Sequence, residues 1–529
     1  MSEDSGLIRS SSLMGLGTIL SRATGFIRNL LLVAVLGTGI LADTYNVANT
    51  TPNILYNLLI GGALSAVFVP QIVKSFRDAD GGSAYVSRLI SLLTSALILI
   101  TAFAMIIAPL FISLYAPSFS GRPRDITIAF ALYCLPQILF YGLFGILGQV
   151  ANAKEKFGPM MWAPIANNVV VIALFSYFLS VTDEISLQTI TDSQIRLLGV
   201  GTTLGIVLQA LILIPTIASS GLKLRFRTDW RGVGLDKAIR LASWMFLFVL
   251  ISQLGFLVTV NLATRAGVAA EAAGIAYGVG YTPYANAYLI LLLPHSIVTI
   301  SIVTALLPKL SNFAIDKKLD EVKNLLNLAM RYVGIVTVPA SFFFLLFGER
   351  VAEALFFGIS EDSAIYIGRL LSAMALGLIP LSINLIFIRG LNAFDNTKSQ
   401  VISNIVVNVV AVALSIIAYF AMEPRSVTVG LALAFTLSYW CGVVASYLLL
   451  KRYTGTLNIA ALALFYLKVA FAASIAVITV AFLADRLSLD GNFVDLLGVL
   501  IATSLIYIFV ARAMKIAEVG QTIKVLLRR

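Results

Sequence analysis

The sequence is poor in charged residues and has few residues that bind metals or form disulfides. Only 12% of its 529 residues are charged, whereas soluble globular proteins carry about 25%. The two cysteines, Cys134 and Cys441, lie in apolar runs, so we expect small buried hydrophobic side chains and no disulfide. The single histidine, His295, cannot form a zinc site alone, and no CxxC, HExxH or glycine-rich phosphate motif is present. We therefore predict no metal site and no cofactor, and leave a coupling ion open.

Long apolar runs make up most of the chain instead. Hydrophobic residues account for 59% of the sequence, and its mean hydropathy is +0.95. Many runs reach the length of about 20 residues that an α-helix needs to cross about 30 Å of hydrocarbon. The alternation over about 10 residues that is typical of transmembrane β-strands is not seen. The composition therefore predicts an all-α integral membrane protein.

We predict fourteen transmembrane helices, separated by loops too short to form a soluble domain. They lie near residues 11–38, 44–70, 88–116, 125–151, 158–181, 197–218, 238–264, 281–308, 325–347, 364–388, 398–421, 427–450, 458–484 and 493–512. An even number of spans places both termini on the same side of the membrane.

The charges in the loops predict the orientation. The side that holds both termini receives most of the basic residues, including "KLRFR" (223–227), "KK" (317–318) and "KR" (451–452). The opposite loops are acidic, as in "TDE" (182–184) and "GERVAE" (348–353). The positive-inside rule then places both termini in the cytoplasm. The net charge of +11 is thereby explained by topology, and no nucleic-acid partner is expected.

The first half of the sequence resembles the second half. "NAKEKFGPMMWAPIANNVVVIAL" (152–174) aligns with "NAFDNTKSQVISNIVVNVVAVAL" (392–414), and in each copy two asparagines stand sixteen residues apart. Six predicted spans separate the copies, so both copies have the same orientation in the membrane. The sequence therefore predicts parallel repeats, the arrangement of transporters that hold substrate between two halves.

The repeat suggests four segments. These are an N-terminal lobe of spans 1–6 (1–218), a cytoplasmic linker (219–237), a C-terminal lobe of spans 7–12 (238–452), and spans 13 and 14 with a cytoplasmic tail (453–529). Spans 2 and 8 occupy corresponding places in the two lobes. Both are interrupted by proline, in "NTTPNILYN" (49–57) and "LLPHS" (292–296), which favours a binding site near these breaks.

Two arginines lie inside the first predicted span. Each of them, Arg22 and Arg28, would cost about 2.5–3.5 kcal/mol at the bilayer centre on insertion scales. No Asp or Glu lies deep in a predicted span, and Asp43 stands at the outer edge of span 2. Because guanidinium groups bind phosphate oxygens in a bidentate manner, the arginines predict a cavity between the lobes that takes an anionic substrate. Three other basic residues in or near spans are expected to reach the lipid headgroups: Arg331, Arg369 and Lys468.

The stretch "SRATGFIRNLLLVAVLGTGILADTYNVANTTPNILYNLLIGGALSAVFVP" (21–70) resembles the opening of the MurJ/MviN lipid II flippase family. The resemblance extends over essentially the full chain through the number and grouping of spans. It implies membership of the multidrug/oligosaccharidyl-lipid/polysaccharide exporter superfamily. It also implies outward transport of lipid II, the undecaprenyl-pyrophosphate-linked disaccharide-pentapeptide, across the bacterial cytoplasmic membrane for peptidoglycan synthesis. Peptidoglycan synthesis proteins would be further partners, and spans 13 and 14 would form a groove for the lipid tail.

The resemblance assigns roles to four residues. Arg22 and Arg28 fall on the family's two functional arginines in span 1, and Asn53 falls on the asparagine of its PN step. Asp43 falls on the aspartate of span 2, for which we predict a gate contact with the C-terminal lobe. These matches imply substrate binding by Arg22, Arg28 and Asn53.

The chain also departs from the family pattern. Many relatives have arginine just after the PN step, where this chain has Tyr56 and Asn57, and many have glutamate where this chain has Gly61. Many have an arginine shortly before the proline of span 8, where this chain reads "AYLILLLP" (287–294). Arg265, at the end of span 7, is the candidate replacement and completes the predicted binding set.

Three other functions remain open from the sequence. A drug/cation antiporter of the same superfamily would need acidic residues in its cavity, which the predicted spans lack. A flippase for another polyprenyl-pyrophosphate oligosaccharide would fit the same arginines. An integral-membrane enzyme would need positioned carboxylates or a metal site, usually on a sizeable loop.

Overall fold

Helices form every regular element in the part of the chain that the computed structural model describes, which is residues 2–59, 69–182, 185–229, 235–275, 277–487 and 492–527. In chain order they are α1 (Ser2–Leu36), α2 (Ile40–Leu59), α3 (Val69–Ser75), α4 (Ser83–Ile106), α5 (Ala108–Tyr115), α6 (Arg122–Cys134), α7 (Gln137–Ala153), α8 (Gly158–Val181), α9 (Asp192–Leu211), α10 (Leu213–Ala218), α11 (Leu235–Ala272), α12 (Tyr281–Pro294), α13 (Ile300–Ile315), α14 (Leu319–Leu355), α15 (Glu361–Ala375), α16 (Leu378–Ala393), α17 (Thr397–Ala421), α18 (Pro424–Thr454), α19 (Ile459–Arg486), α20 (Phe493–Ala513) and α21 (Ala517–Leu527). The all-α membrane class is confirmed.

The described helices include twelve that are long and apolar enough to cross a membrane, and a thirteenth span if the bent pair α15 and α16 is counted as one. The predicted number of fourteen is not confirmed. Span 2 is the predicted span that these thirteen do not include. Helix α2 ends at Leu59 and α3 begins at Val69, while residues 60–68, with Gly61, lie outside the described residues.

The chain divides into two compact units, residues 1–265 and 266–529. In the first unit α1 packs on α8, α8 on α9, α2 on α6 and α4 on α7. Its buried side chains include Leu89, Leu97 and Ile138, which contribute to one apolar core. The four-segment division with a linker at 219–237 stays a prediction, and residues 230–234 of that linker lie outside the described residues.

In the second unit α14 is the central helix. It packs on α15, α16 and α19, while α17 packs on α18 and α19 on α20. The core around α14 contains Met330, Val333, Phe387 and Val469. The predicted additional helices α19 and α20 are thus part of this unit.

Span 10 is broken, whereas the sequence predicts one helix near 364–388. Helices α15 and α16 meet at an angle of 48°. Gly377 lies at the break, and a Cβ there would stand 2.9 Å from both the Met374 carbonyl oxygen and the Thr436 Oγ1. The close approach of α18 therefore explains why glycine stands at this bend.

The predicted interruption of span 8 coincides with a π-helical segment. Residues His295–Thr299 form this segment between α12, which ends at Pro294, and α13. The His295 side chain is buried and its Nδ1 lies 2.9 Å from the Ser382 Oγ. Proline removes a backbone donor from the helical ladder, which accounts for the local widening.

The expectation that both cysteines are buried is wrong for Cys441. Cys134 is buried, while Cys441 is exposed on α18, and neither forms a disulfide. Cys441 follows Trp440, which belongs to an exposed apolar stripe with Leu437 and Val444. In a membrane-spanning helix such a stripe faces lipid, so hydropathy alone does not separate it from a buried face.

Candidate substrate-binding site

Helix α1 carries the two predicted arginines, and Asn168 of α8 holds the turn in which they lie. The Asn168 Nδ2 donates to the Ser21 carbonyl oxygen at 3.0 Å and to the Thr24 Oγ1 at 2.9 Å. Gly25 is also on this face, where a Cβ would stand 3.4 Å from the Asn168 Nδ2. The α1–α8 contact thus fixes the backbone immediately around Arg22.

The two arginines have different environments. Arg22 is exposed, while Arg28 is half-buried and interacts electrostatically with the hydroxyl groups of Tyr45 and Tyr141. An offset of six residues turns a helix by about 240°, so two such side chains leave it in different directions. Arg28 is therefore the arginine that faces the interior of the first unit, on the side of α2 and α7.

A polar network lies beside Arg28, and the sequence analysis did not predict it. The Tyr45 Oη lies 2.7 Å from the Thr202 Oγ1, and the Gln137 Nε2 donates to the Asn49 Oδ1 at 3.3 Å and to the Thr203 Oγ1 at 3.1 Å. The Gln137 Oε1 is buried and has no hydrogen-bond partner among the described residues. The sequence feature that could have predicted this network is the presence of polar residues inside apolar spans. Such residues are usually functional or paired in membranes.

Asp43 is fully buried in the first turn of α2. Its exposed fraction is 0%, and its backbone N–H donates to the Gly39 carbonyl oxygen at 3.1 Å. The N-terminus of a helix favours a negative charge, so this position suits a carboxylate. Its contact across a gate stays a prediction.

Asn53 lies later in α2 and is exposed. Its Oδ1 accepts a hydrogen bond from the Asn57 Nδ2 at 3.0 Å. It follows Pro52, which is buried inside the helix and leaves one carbonyl of the preceding turn without its usual donor. Asn53 thus presents a polar group at a perturbed turn of α2.

Arg265 is exposed near the end of α11 and is oriented by a neighbour on the same helix. Its Nε donates to the Asn261 Oδ1 at 2.8 Å, and the Asn261 Nδ2 donates to the Leu114 carbonyl oxygen at 3.1 Å. Asn261, absent from the predicted site, therefore connects Arg265 to the end of α5. A polar residue one helical turn from a charged one is the sequence signal for such a pair.

The predicted site arginines differ from two other arginines of the spans. Arg331 pairs with Glu518 at 2.7 Å and Arg369 with Glu349 at 3.1 Å, so both have an acidic partner in the protein, while their contact with lipid headgroups stays a prediction. Lys468 is exposed. Within the described residues, no acidic partner is found for the site arginines, which are Arg22, Arg28 and Arg265.

The structure brings most of the predicted residues onto two neighbouring helices. Arg22 and Arg28 lie on α1, and Asp43 and Asn53 lie on α2, which contacts α1. Arg265 lies apart from them on α11. Cationic side chains beside neutral hydroxyl and amide groups can bind an anion, and phosphate oxygens suit this donor set.

Comparison with known proteins supplies the family. The profile of the family described as "Lipid II flippase MurJ" matches residues 32–501. The chain belongs to this family. Arg22 and Arg28 precede the matched range, so their roles rest on the site itself.

Relatives of this family resemble the chain along most of its length. A "Probable lipid II flippase MurJ" of Rhizobium meliloti is 26% identical over 82% of this chain and 78% of its own length. A "Lipid II flippase MurJ" of Burkholderia cenocepacia is 25% identical over 73% of each chain.

Solved structures share the fold. The structure "Lipid II flippase MurJ, inward closed conformation" is similar with a TM-score of 0.76 at 21% identity, over 95% of this chain and 98% of that one. An inward-facing multidrug resistance transporter of the MATE family gives a TM-score of 0.65 at 14% identity, over 82% and 96% of the two chains. At these identities the likeness shows the fold alone.

Proposed function

We propose that this protein is a transporter that moves lipid II from the inner to the outer leaflet by alternating access, without chemical conversion of its substrate. The observation that carries this proposal is the family match over residues 32–501. The arrangement of α1 supports it, because Arg28 is half-buried in a membrane-spanning helix and has no acidic partner among the described residues. A charge in that position is best satisfied by an anionic substrate.

Arg22 and Arg28 bind the pyrophosphate of the substrate in this proposal. Asn168 fixes the backbone turn at Ser21 and Thr24, and therefore sets where both guanidinium groups leave the helix. The exposed Arg22 would meet the substrate first, and the half-buried Arg28 would hold it farther inside the first unit. Each guanidinium has donors to bind two phosphate oxygens at once.

The remaining predicted residues have supporting roles. Asn53 would contribute an amide to the substrate, and Arg265, oriented by Asn261, would add a third positive charge. Asp43 would act as a gate. Its carboxylate is buried, so the free energy of the protein would change strongly when a conformational change makes or breaks a contact between this carboxylate and a positive group.

The proposal places the protein in the bacterial cytoplasmic membrane with both termini in the cytoplasm. Single cysteines on a cysteine-free background test this orientation. Cysteines at Ser120, Gln188 and Phe357, all exposed, should react with an impermeant reagent in intact cells. Cysteines at Asp80 and Thr228, also exposed, should react only after permeabilisation. Labelling of position 228 in intact cells would contradict the orientation.

Depletion of the protein in its host tests the function. Lipid II should accumulate in the inner leaflet, where an externally added enzyme that degrades lipid II cannot reach it. Re-expression of the parent should restore degradation, and Arg425→Ala, a change at an exposed arginine in the first turn of α18 that pairs with Glu423, should restore it equally. Normal lipid II exposure together with accumulation of a different polyprenyl-pyrophosphate oligosaccharide would assign that lipid instead. Loss of drug resistance alone would favour an antiporter.

A further inference from the structure

An extended segment of the first unit, residues 222–229, lies along α4 in register with a row of serines. The backbone N–H groups of Lys223, Arg225 and Arg227 donate to the hydroxyl oxygens of Ser83, Ser87 and Ser91 at 3.2, 3.1 and 2.9 Å. Alternate residues of an extended chain repeat every 6–7 Å or so, and residues four apart in a helix repeat about every 6 Å. The match of these spacings fixes the segment on the helix.

Apolar residues alternate with these basic residues and line a pocket. Leu222 and Leu224 contribute to a cavity of about 500 Å³, together with side chains of α4, α7, α9 and α10. Representative lining residues from those helices are Ile90, Leu143, Ala210 and Ile214. Volumes of about 300–1,000 Å³ are typical of sites for small molecules.

The pocket opens toward the lipid-facing side of the unit. Leu211 and Ile214 of its lining are 46% and 49% exposed although they lie in a candidate membrane span. Exposed apolar side chains in such a span contact hydrocarbon, so a lipid chain can enter the pocket from the bilayer.

Basic residues alternate with the lining residues Leu222 and Leu224 along the extended segment, and only some of the basic residues are neutralised. Arg88 and Arg227 both bind Asp229, at 2.9 and 2.7 Å, and the Arg227 guanidinium lowers the pKa of that carboxyl to about 2. Lys223 and Arg225 are exposed, and the described residues provide no acidic partner for either.

Lys156 is a third basic residue near the pocket that has no acidic partner among the described residues. The Lys156 Nζ donates to the Ser219 Oγ at 3.0 Å, immediately after Ala218 of the pocket lining. Positive charge therefore gathers where the apolar pocket reaches the end of the membrane span.

We propose that this pocket binds one anionic glycerophospholipid, with an acyl chain in the cavity and the headgroup phosphate on Lys223 and Arg225. The apolar lining suits a hydrocarbon chain. The two basic residues next to Leu222 and Leu224 would attract a negatively charged headgroup. None of the described residues that line this pocket belongs to α1 or α2, so the site is separate from the arginines of α1.

Lipid titration of the purified full chain tests the charge requirement. Phosphatidylglycerol and phosphatidylcholine with identical acyl chains are added in detergent, and bound lipid is counted by native mass spectrometry. Phosphatidylglycerol should bind about tenfold or more tightly than phosphatidylcholine, and Lys223→Gln with Arg225→Gln should remove this preference. The matched control is Lys451→Gln with Arg452→Gln, an exposed pair at the end of α18 that should leave the preference intact. Equal binding of the two lipids by the parent would overturn the proposal.

A variant that fills the pocket tests the chain requirement. Ala218→Phe keeps all basic residues and should lower phosphatidylglycerol binding about tenfold, while binding of lipid II to the same protein stays unchanged. Soluble glycerophosphoglycerol and inorganic phosphate should not compete at the concentrations at which the lipid binds. Competition by either anion at such concentrations would identify a simple anion site and overturn the lipid assignment. If Ala218→Phe lowers the thermal stability, the charge variants decide the question alone.

Discussion

Two asparagines occupy the same place in the two halves of the sequence and make different contacts. Asn168 stands sixteen residues after Asn152, and Asn408 stands sixteen residues after Asn392. Asn168 of α8 donates to the carbonyl oxygen of Ser21 and thereby joins α8 to α1. Asn408 of α17 donates to the Asn404 carbonyl oxygen at 2.9 Å and the Asn404 Oδ1 at 3.0 Å, within its own helix.

The difference shows that a repeated sequence specifies helices more strongly than the contacts between them. An amide in a membrane needs a partner, and a carbonyl one turn earlier in the same helix is always available. An interhelical hydrogen bond forms only where a neighbouring helix presents an acceptor at the same level along the helix axis. In the first half that neighbour is α1, so Asn168 positions the helix that carries the arginines.

The largest expected effect is the loss of an arginine from α1. Arg28→Ala should weaken lipid II binding by about tenfold to a hundredfold, because a hydrogen bond to a charged group contributes about 1.5–3 kcal/mol. Arg22→Ala should behave alike, and Arg28→Lys should be partly defective since lysine lacks bidentate geometry. The measurement is lipid II binding to purified protein whose thermal stability equals that of the parent. Parental affinity in both alanine variants would contradict the pyrophosphate role and make Arg265 the leading candidate.

Substitution of Asp43 should show the next largest effect. Asp43 is also a difference between the two halves of the chain. Helix α12, the predicted counterpart of α2, has no acidic residue. Asp43→Asn keeps the shape of the side chain and removes its charge, so transport should fall severalfold while the amount of protein in the membrane stays the same. Inner-leaflet accumulation of lipid II and a membrane blot are the two measurements. A fully active Asp43→Ala variant would remove the gate role.

Substitution of the two asparagines tests the comparison directly. Asn168→Ala should lower the free energy of unfolding by about 1 kcal/mol, the scale of interhelical hydrogen bonds in membranes, and Asn408→Ala by less than about 0.5 kcal/mol. Asn168→Ala should also weaken lipid II binding, whereas Asn408→Ala should not. Thermal unfolding in detergent and lipid II titration provide both readouts, and equal effects of the two variants would refute the contrast.

The smallest effect concerns the two thiols, which should differ in reactivity and leave transport unchanged. In the folded protein a membrane-permeant maleimide should modify Cys441, which is exposed on α18, and not Cys134, which is buried in α6. Both should react after denaturation. Mass spectrometry of the modified peptides gives the ratio, and fast reaction of native Cys134 would show that the first unit opens around it.

The length and period of the apolar runs determined most of the helices. The predicted span at 158–181 is helix α8, with the same bounds, and the predicted span at 398–421 differs from α17 by one residue at its start. Arg28 was also evident from the sequence, because a charge in an apolar run stands out without any structure. These features are local, and the backbone polar groups of a span in lipid must find partners within the protein, which a helix provides for most of them.

Only the tertiary structure decided which groups meet. The partner of Asn168, the side of α18 that carries Cys441, and the bend at Gly377 all depend on which helix lies alongside. The seating of residues 222–229 on the serines of α4 depends on two segments distant in sequence having matching spacings. Hydropathy gives a lipid-facing and a buried apolar residue the same value, so the sequence alone could not distinguish these arrangements.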